Sequence, residues 1–182
     1  MKHLLLTTLF TAGIAALISC NNGDYLADPQ GSIPNPPGLN GEVEEGVISC
    51  KRDSTHKYFR YGIWTKSDPA IVISGMILKS GEPVESIALT IGDFQGTGIY
   101  RLDDTSFGNS LIYHKLDADT IPTATYVIRD REGWAYIEIT EASDTHLKGQ
   151  FNGVAYLLDS TGEINREKWT HFRDGRFHVK RP

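Results

Sequence analysis

The sequence predicts an all-β fold, an antiparallel β-sandwich or barrel-like meander of about 8–10 strands. Three observations predict it. Short runs rich in Ile, Val, Thr and Tyr recur at intervals of about ten residues. Several of them alternate: Ser86 to Ile91 places Ile87, Leu89 and Ile91 on one face, and Trp134 to Thr140 places Ala135, Ile137 and Ile139 opposite Trp134 and Tyr136. Clusters of turn chemistry separate the runs: KSGEP, GDFQGTG, DDTSFGN, DREG, EASD and DSTGE.

Taken in order, the strand candidates are KYFRYGIWT (57–65), AIVISGMIL (70–78), SIALTI (86–91), TGIYRL (97–102), SLIYHKL (110–116), TATYVIR (123–129), WAYIEIT (134–140) and HLKGQFNGVAYLL (146–158). The β-branched and aromatic content of these runs suits a pleated, half-buried surface. GDFQGTG reads as a hairpin loop. EINREKW (163–169) holds one helical turn at most, and no segment carries a helical stripe capped at both ends.

The C-terminal stretch THFRDGRFHV carries a strong two-residue hairpin signal at Asp174-Gly175. A hairpin there sets Arg173 opposite Arg176, Phe172 opposite Phe177 and His171 opposite His178. Phe172, Phe177 and Val179 then share a core face, and His171, Arg173, Arg176 and His178 share the other. Like charges directly opposite each other are unfavourable, so the second face invites an anionic neighbour. The alternatives are an Asp or Glu of an adjoining strand, a hairpin tip that is simply solvated, or an external anion such as an acidic glycan, a lipid phosphate or a partner's carboxylates. These four residues are the candidate anion or partner site.

The N-terminus is organised differently. MKHLLLTTLFTAGIAALISC has a basic start at Lys2 and an apolar run interrupted by threonines and Gly13. It is too short for a spanning helix, which takes about 20 apolar residues, and it suits a secretory leader. Its last four residues, Leu17, Ile18, Ser19 and Cys20, resemble the lipobox of bacterial lipoproteins. That resemblance implies a signal peptide over 1–19 and a lipidated Cys20 as first mature residue, unable to form a disulfide with Cys50. Two or three acyl chains hold a protein to a bilayer where one is marginal. Asn21 is not the aspartate of the inner-membrane retention rule, so the expectation is an outer-membrane protein, with its face, periplasmic or external, left open.

Residues 20–41 follow as a tether rich in Pro, Gly and Asn, which cannot bury enough apolar surface to order itself. It reaches about 25 Å as a coil and roughly 60 Å as an extended polyproline path. Residues 42–182 are then one β-sandwich domain of ordinary size. The chain's formal net charge is −5, one unit lower once Lys2 leaves with the leader. This argues against nucleic acid as a partner, although the segment from Arg166 to Pro182 is basic.

A second resemblance lies in the succession GTGIYRL, GWAYIEIT, HLKGQFNGVAY and DGRFHV. It is similar to a group of uncharacterised Bacteroidota-type lipoprotein domains over roughly Tyr58 to Val179. What it implies is a β-sandwich lipoprotein without assigned activity and without catalytic residues.

The marked chemistries are absent from the sequence. GDFQGTG lacks the Lys-Ser/Thr of a P-loop and opens a strand, not a helix. No GxSxG, HExxH or CxxC occurs. Asp103 with Asp104, and Asp117 with Asp119, lack calcium-loop spacing, and no carboxylate pair is brought together for glycosidase work. Cys50, beside Val47 and Ile48, reads as a buried thiol. No cofactor, metal ligand or catalytic residue is assigned. The expectation is a non-enzymatic binding module for a glycan or protein partner, supported if Trp64, Trp134 or Trp169 is exposed. The alternatives are a small hydrolase, needing a pocket lined by His114, Asp117 or His171, and an inhibitor or immunity-type lipoprotein. Oligomeric state leaves no mark.

Overall fold

A computed structural model of the chain describes residues 43–102, 108–117, 121–128 and 134–182. The leader, Cys20, the tether, Asp103, Asp104 and Asp119 lie outside the described residues. The described residues form ten strands and no helix: β1 Val47–Arg52, β2 Thr55–Ser67, β3 Ala70–Lys79, β4 Glu82–Ile91, β5 Gly98–Leu102, β6 Ser110–Leu116, β7 Pro122–Ile128, β8 Trp134–Ala142, β9 His146–Leu158 and β10 Ile164–Lys180.

Following hydrogen-bonded neighbours from β1 through β2, β3, β4, β6, β7, β9 and β10 leads back to β1. Eight strands therefore close a barrel, and β8 and β5 extend from it. All pairings are antiparallel except one parallel bridge, Lys180 to Ile63. Of the two architectures the sequence allows, sandwich or barrel, the barrel is the one formed. The splay arises at β9, which pairs β8 through Leu147 to Val154 and then β7 through Tyr156 and Leu157.

Alternation puts one side of each strand inside. The interior is filled by side chains, as expected of a barrel of this strand number. Phe59, Tyr113, Phe151, Phe172 and Phe177 are the largest fully buried groups, packed with Ile48, Ile71, Ile73, Ile87, Leu89 and Ile137. At about 25 cal/mol per Å² of buried apolar surface, this interior is the main source of stability.

Three readings of the sequence are corrected. GDFQGTG is not a hairpin loop, because β4 pairs with β3 and β6 while β5 pairs only with β8; it carries the chain from one to the other. EINREKW holds no helical turn, since Ile164 and Asn165 pair with Leu158 and Leu157. Asp174-Gly175 does not make a hairpin. β10 is one strand that pairs with β9 along its length and with β1 over Phe172 to His178, and folding it back on itself would forfeit both neighbours.

What Asp174-Gly175 makes is a bulge. Phe172 lies opposite Gly153 and Gly175 opposite Phe151, so Arg173 and Asp174 together face Asn152. Asp174 takes the left-handed conformation at φ 52°, which Asp tolerates better than most residues. Gly175 answers a different need. A Cβ there would lie 2.5 Å from the Phe151 carbonyl oxygen and 2.6 Å from its ring. The extra residue resets the alternation, so Thr170 and Phe172 point inward before the bulge and Gly175, Phe177 and Val179 after it.

Candidate functional site

The bulge positions a concave site on the outer face of the sheet. Across β2, β1, β10, β9 and β8 the register aligns Tyr58 with Ser49, Ser49 with Arg176, Arg176 with Gln150, and Gln150 with Glu138. The next row begins with His56 and Lys51 and ends with Asn152 and Tyr136. Strands are spaced about 4.8 Å apart, so the face is about 19 Å wide. A concavity of about 150 Å³ lies on it, lined by Ser49, Lys51, His56, Tyr58, Tyr136, Gln150, Asn152, Asp174 and Arg176, with Cys50, Phe151 and Gly175.

Of the four residues singled out in the sequence, Arg176 lines this groove. His171 borders it, its Nε2 3.2 Å from the Asn152 Oδ1 and its ring 6.0 Å from that of Trp134. Arg173 lies alongside, donating from Nη2 to the Asp53 carbonyl at 2.6 Å. His178 belongs elsewhere, with its ring 5.8 Å from His146 and its Nε2 4.0 Å from a Glu45 oxygen. The four do share the outer face, but in a row along one strand, not across a hairpin.

Neighbouring carboxylates interleave with the cations. Lys51 bridges Asp174 at 2.9 Å. Asp53 accepts from the Thr170 hydroxyl and the His171 amide, each at 3.0 Å, and its own amide donates to the His171 carbonyl at 2.8 Å, which clamps the β1–β2 turn onto β10. Gln150 donates from Nε2 to Glu138. Lys51, by hydrogen bonding and charge, holds the Asp174 carboxyl below the usual carboxylate range.

A second polar cluster lies inside one barrel end. Tyr113 donates to Glu85 Oε2 at 2.8 Å and Lys57 donates to Oε1 at 2.7 Å. Arg52 donates to the Tyr113 hydroxyl and stands over its ring, 4.9 Å from the centroid. Burial and the Glu85 carboxylate push the Tyr113 phenol well above its ordinary range. Burial likewise pushes the Cys50 thiol up to about 12, which removes thiolate chemistry at neutral pH.

The remaining candidates separate. His114 is buried on β6, bonded through Nδ1 to Thr125 at 2.9 Å, and burial lowers its pKa to about 4. The Asp117 side chain accepts from the Ile121 amide at 2.9 Å and so shapes its loop. Neither lines the groove. Trp64 is buried, whereas Trp134 and Trp169 are 47% and 57% exposed. Among the described residues no group of three or more His, Cys, Asp or Glu could hold a metal ion.

Sequence reasoning missed Lys51 because no strand was assigned to Val47–Arg52, and it missed His56 and Tyr58 on β2 because their neighbour across the sheet is that same unassigned strand. The signal was present in VISCKR, where apolar residues precede polar ones without regular alternation. Tyr136, Gln150 and Asn152 were on assigned strands, but only the three-dimensional order of strands puts them beside β10. No protein family, no curated protein and no solved structure matches this chain.

Proposed function

We propose that the protein is a lipid-anchored, non-catalytic binding module of the bacterial outer membrane, whose ligand site is the groove on the outer face of β2, β1, β10, β9 and β8. The groove itself carries the reading: polar side chains held in place by their neighbours converge with aromatic rings on a rigid sheet, which is how ligand sites gain geometric precision. The chemistry of its charged groups supports binding over catalysis. Asp174 is kept ionised by Lys51, so it is a poor general acid, and the nearby thiol is held protonated. The LISC motif supports the anchor, and an acylated Cys20 ahead of the Pro/Gly tether would hold the barrel clear of the lipid.

The test uses the full chain in detergent micelles, offered to glycan arrays and to envelope proteins, beside the Gln150→Trp variant. Gln150 is exposed, so the indole fills the groove without entering the core. Ligand captured by the parent chain and lost by the variant is the expected result. Equal capture by both would move the site elsewhere. Intact mass should show acyl chains on Cys20, and an unmodified, freely soluble mature chain would remove the anchor.

A further inference from the structure

The chemistry of the groove narrows the class of ligand. Of the charged side chains that line the groove, Lys51 and Asp174 answer each other in a bridge and Arg176 is the third. Glu138 stands beyond the lining, bonded to Gln150, and Arg173 is committed to the Asp53 carbonyl. An anion placed here would meet two lining cations, one of them already bridged to Asp174, and not a cluster of them. The polar groups instead present donors and acceptors side by side. Gln150 commits its Nε2 to Glu138 and leaves Oε1 to accept. Asn152 commits its Oδ1 to His171 and leaves Nδ2 to donate. Asp174 commits Oδ2 to Lys51 and leaves Oδ1 to accept. Hydroxyl groups, each donor and acceptor at once, match such a set.

Aromatic surface lies next to these groups. Tyr136 lines the groove, and Trp134, two residues earlier on the same face of β8, is 47% exposed. Two residues of strand separate their origins by about 7 Å, and His56 and Tyr58 form a stacked pair at the opposite wall, with ring centroids 6.4 Å apart. A protein partner would require roughly 800 Å² of complementary surface with an apolar centre. None of the exposed large hydrophobics, Tyr61, Ile99, Ile121, Trp134 and Trp169, lines the groove itself, and Trp134 borders it through its place on β8 beside Tyr136 and its contact with His171.

We infer that the ligand is a neutral saccharide chain, its rings stacked on Tyr136 and Trp134 and its hydroxyls bonded to Gln150, Asn152 and Asp174. This rests on the groove being the ligand site. The test is a glycan array carrying matched neutral and acidic oligosaccharides, probed with the full chain in detergent, followed by titration of the best neutral binder against Trp134→Ala, Tyr136→Ala and Gln150→Ala. Near-UV circular dichroism confirms that each variant keeps its fold, and Gln150→Ala, on an exposed residue, serves if an aromatic variant unfolds.

The expected result is binding of neutral oligosaccharides, at least tenfold weaker in each variant and changed less than twofold between 0.05 and 0.5 M salt. Selection of acidic saccharides, with affinity falling steeply in salt, overturns the neutral class while the groove stands. Capture of a protein that Gln150→Trp abolishes, with no saccharide bound, does the same. Saccharide bound equally well by all the variants overturns both the inference and the groove.

Discussion

Lys51 and Arg52 are neighbours on β1, yet they serve two clusters of opposite character. Lys51 points outward to Asp174, where the paired side chains are 29% and 57% exposed. Arg52 points inward to Tyr113, beside the Lys57–Glu85 pair, whose side chains are 17% and 16% exposed. The bonds are similar in kind and length, but their surroundings differ. Water competes for the outer pair and largely cancels its worth. The inner pair has surrendered most of its hydration, so each member depends on the others. Strand alternation thus divides the charged residues of one strand between a half-buried network inside the barrel and a water-exposed outer face.

The contrast is broken most sharply at Glu85. Glu85→Ala removes the acceptor of both Lys57 and Tyr113 and leaves a cation and a phenol without their partner in the barrel end. A loss of about 3–5 kcal/mol is expected, read as a lowered denaturation midpoint at constant m-value. A loss below 1 kcal/mol would mean that water solvates this end as freely as the outer face. His114 gives the next effect. Burial lowers its folded pKa to about 4, below the ordinary 6.5, so the unfolded chain binds the proton more readily. Its stabilising contribution is fully present above pH 6.5 and is lost as pH falls through that window toward 4. The full loss is about 3 kcal/mol. Denaturation at pH 7, 5.5 and 4 should show this slope, and His114→Gln should flatten it. An unchanged slope would assign the acid sensitivity to other groups.

Most of the β architecture was legible in the sequence. Eight runs coincide with β2 to β9 because each carries enough β-branched and aromatic residues, bounded by turn residues, to declare itself locally. The exceptions share one physical cause. β1 is short and non-alternating, and β10 contains a strong local hairpin signal that long-range pairing with β9 and β1 overrides. Local propensity is worth fractions of a kcal/mol per residue, less than burial of Phe172 and Phe177 in one continuous strand. The same override governed the site. His171, Arg173 and Arg176 were found on the correct face, but the groove needed the strand order β2, β1, β10, β9, β8, which no local pattern contains.

Gly175 tests whether the bulge joins the two regions. Gly175→Ala forces a Cβ against the Phe151 carbonyl and ring, so β9 and β10 must separate. A cost of about 2 kcal/mol is expected, together with altered groove chemistry, because Gln150 and Asn152 flank Phe151. Amide exchange along β9 and β10 should rise in the variant. Exchange confined to residue 175 would show that the bulge absorbs the methyl without moving the groove.

Asp174→Asn gives the smallest expected effect on stability and the most direct view of the outer face. Asn retains the tolerance for φ 52° that the bulge requires, so the substitution removes charge without adding backbone strain, as Ala would. The Lys51–Asp174 bridge is exposed, and its loss should cost less than about 1 kcal/mol, with little change in melting temperature. Its effect on binding should be larger than its effect on stability, because Asn replaces one carboxylate acceptor with a donor and releases the Lys51 ammonium into the groove. Loss of 2 kcal/mol or more in stability would instead make the bridge part of the bulge's framework, and the division between the inner and outer clusters of β1 would fail.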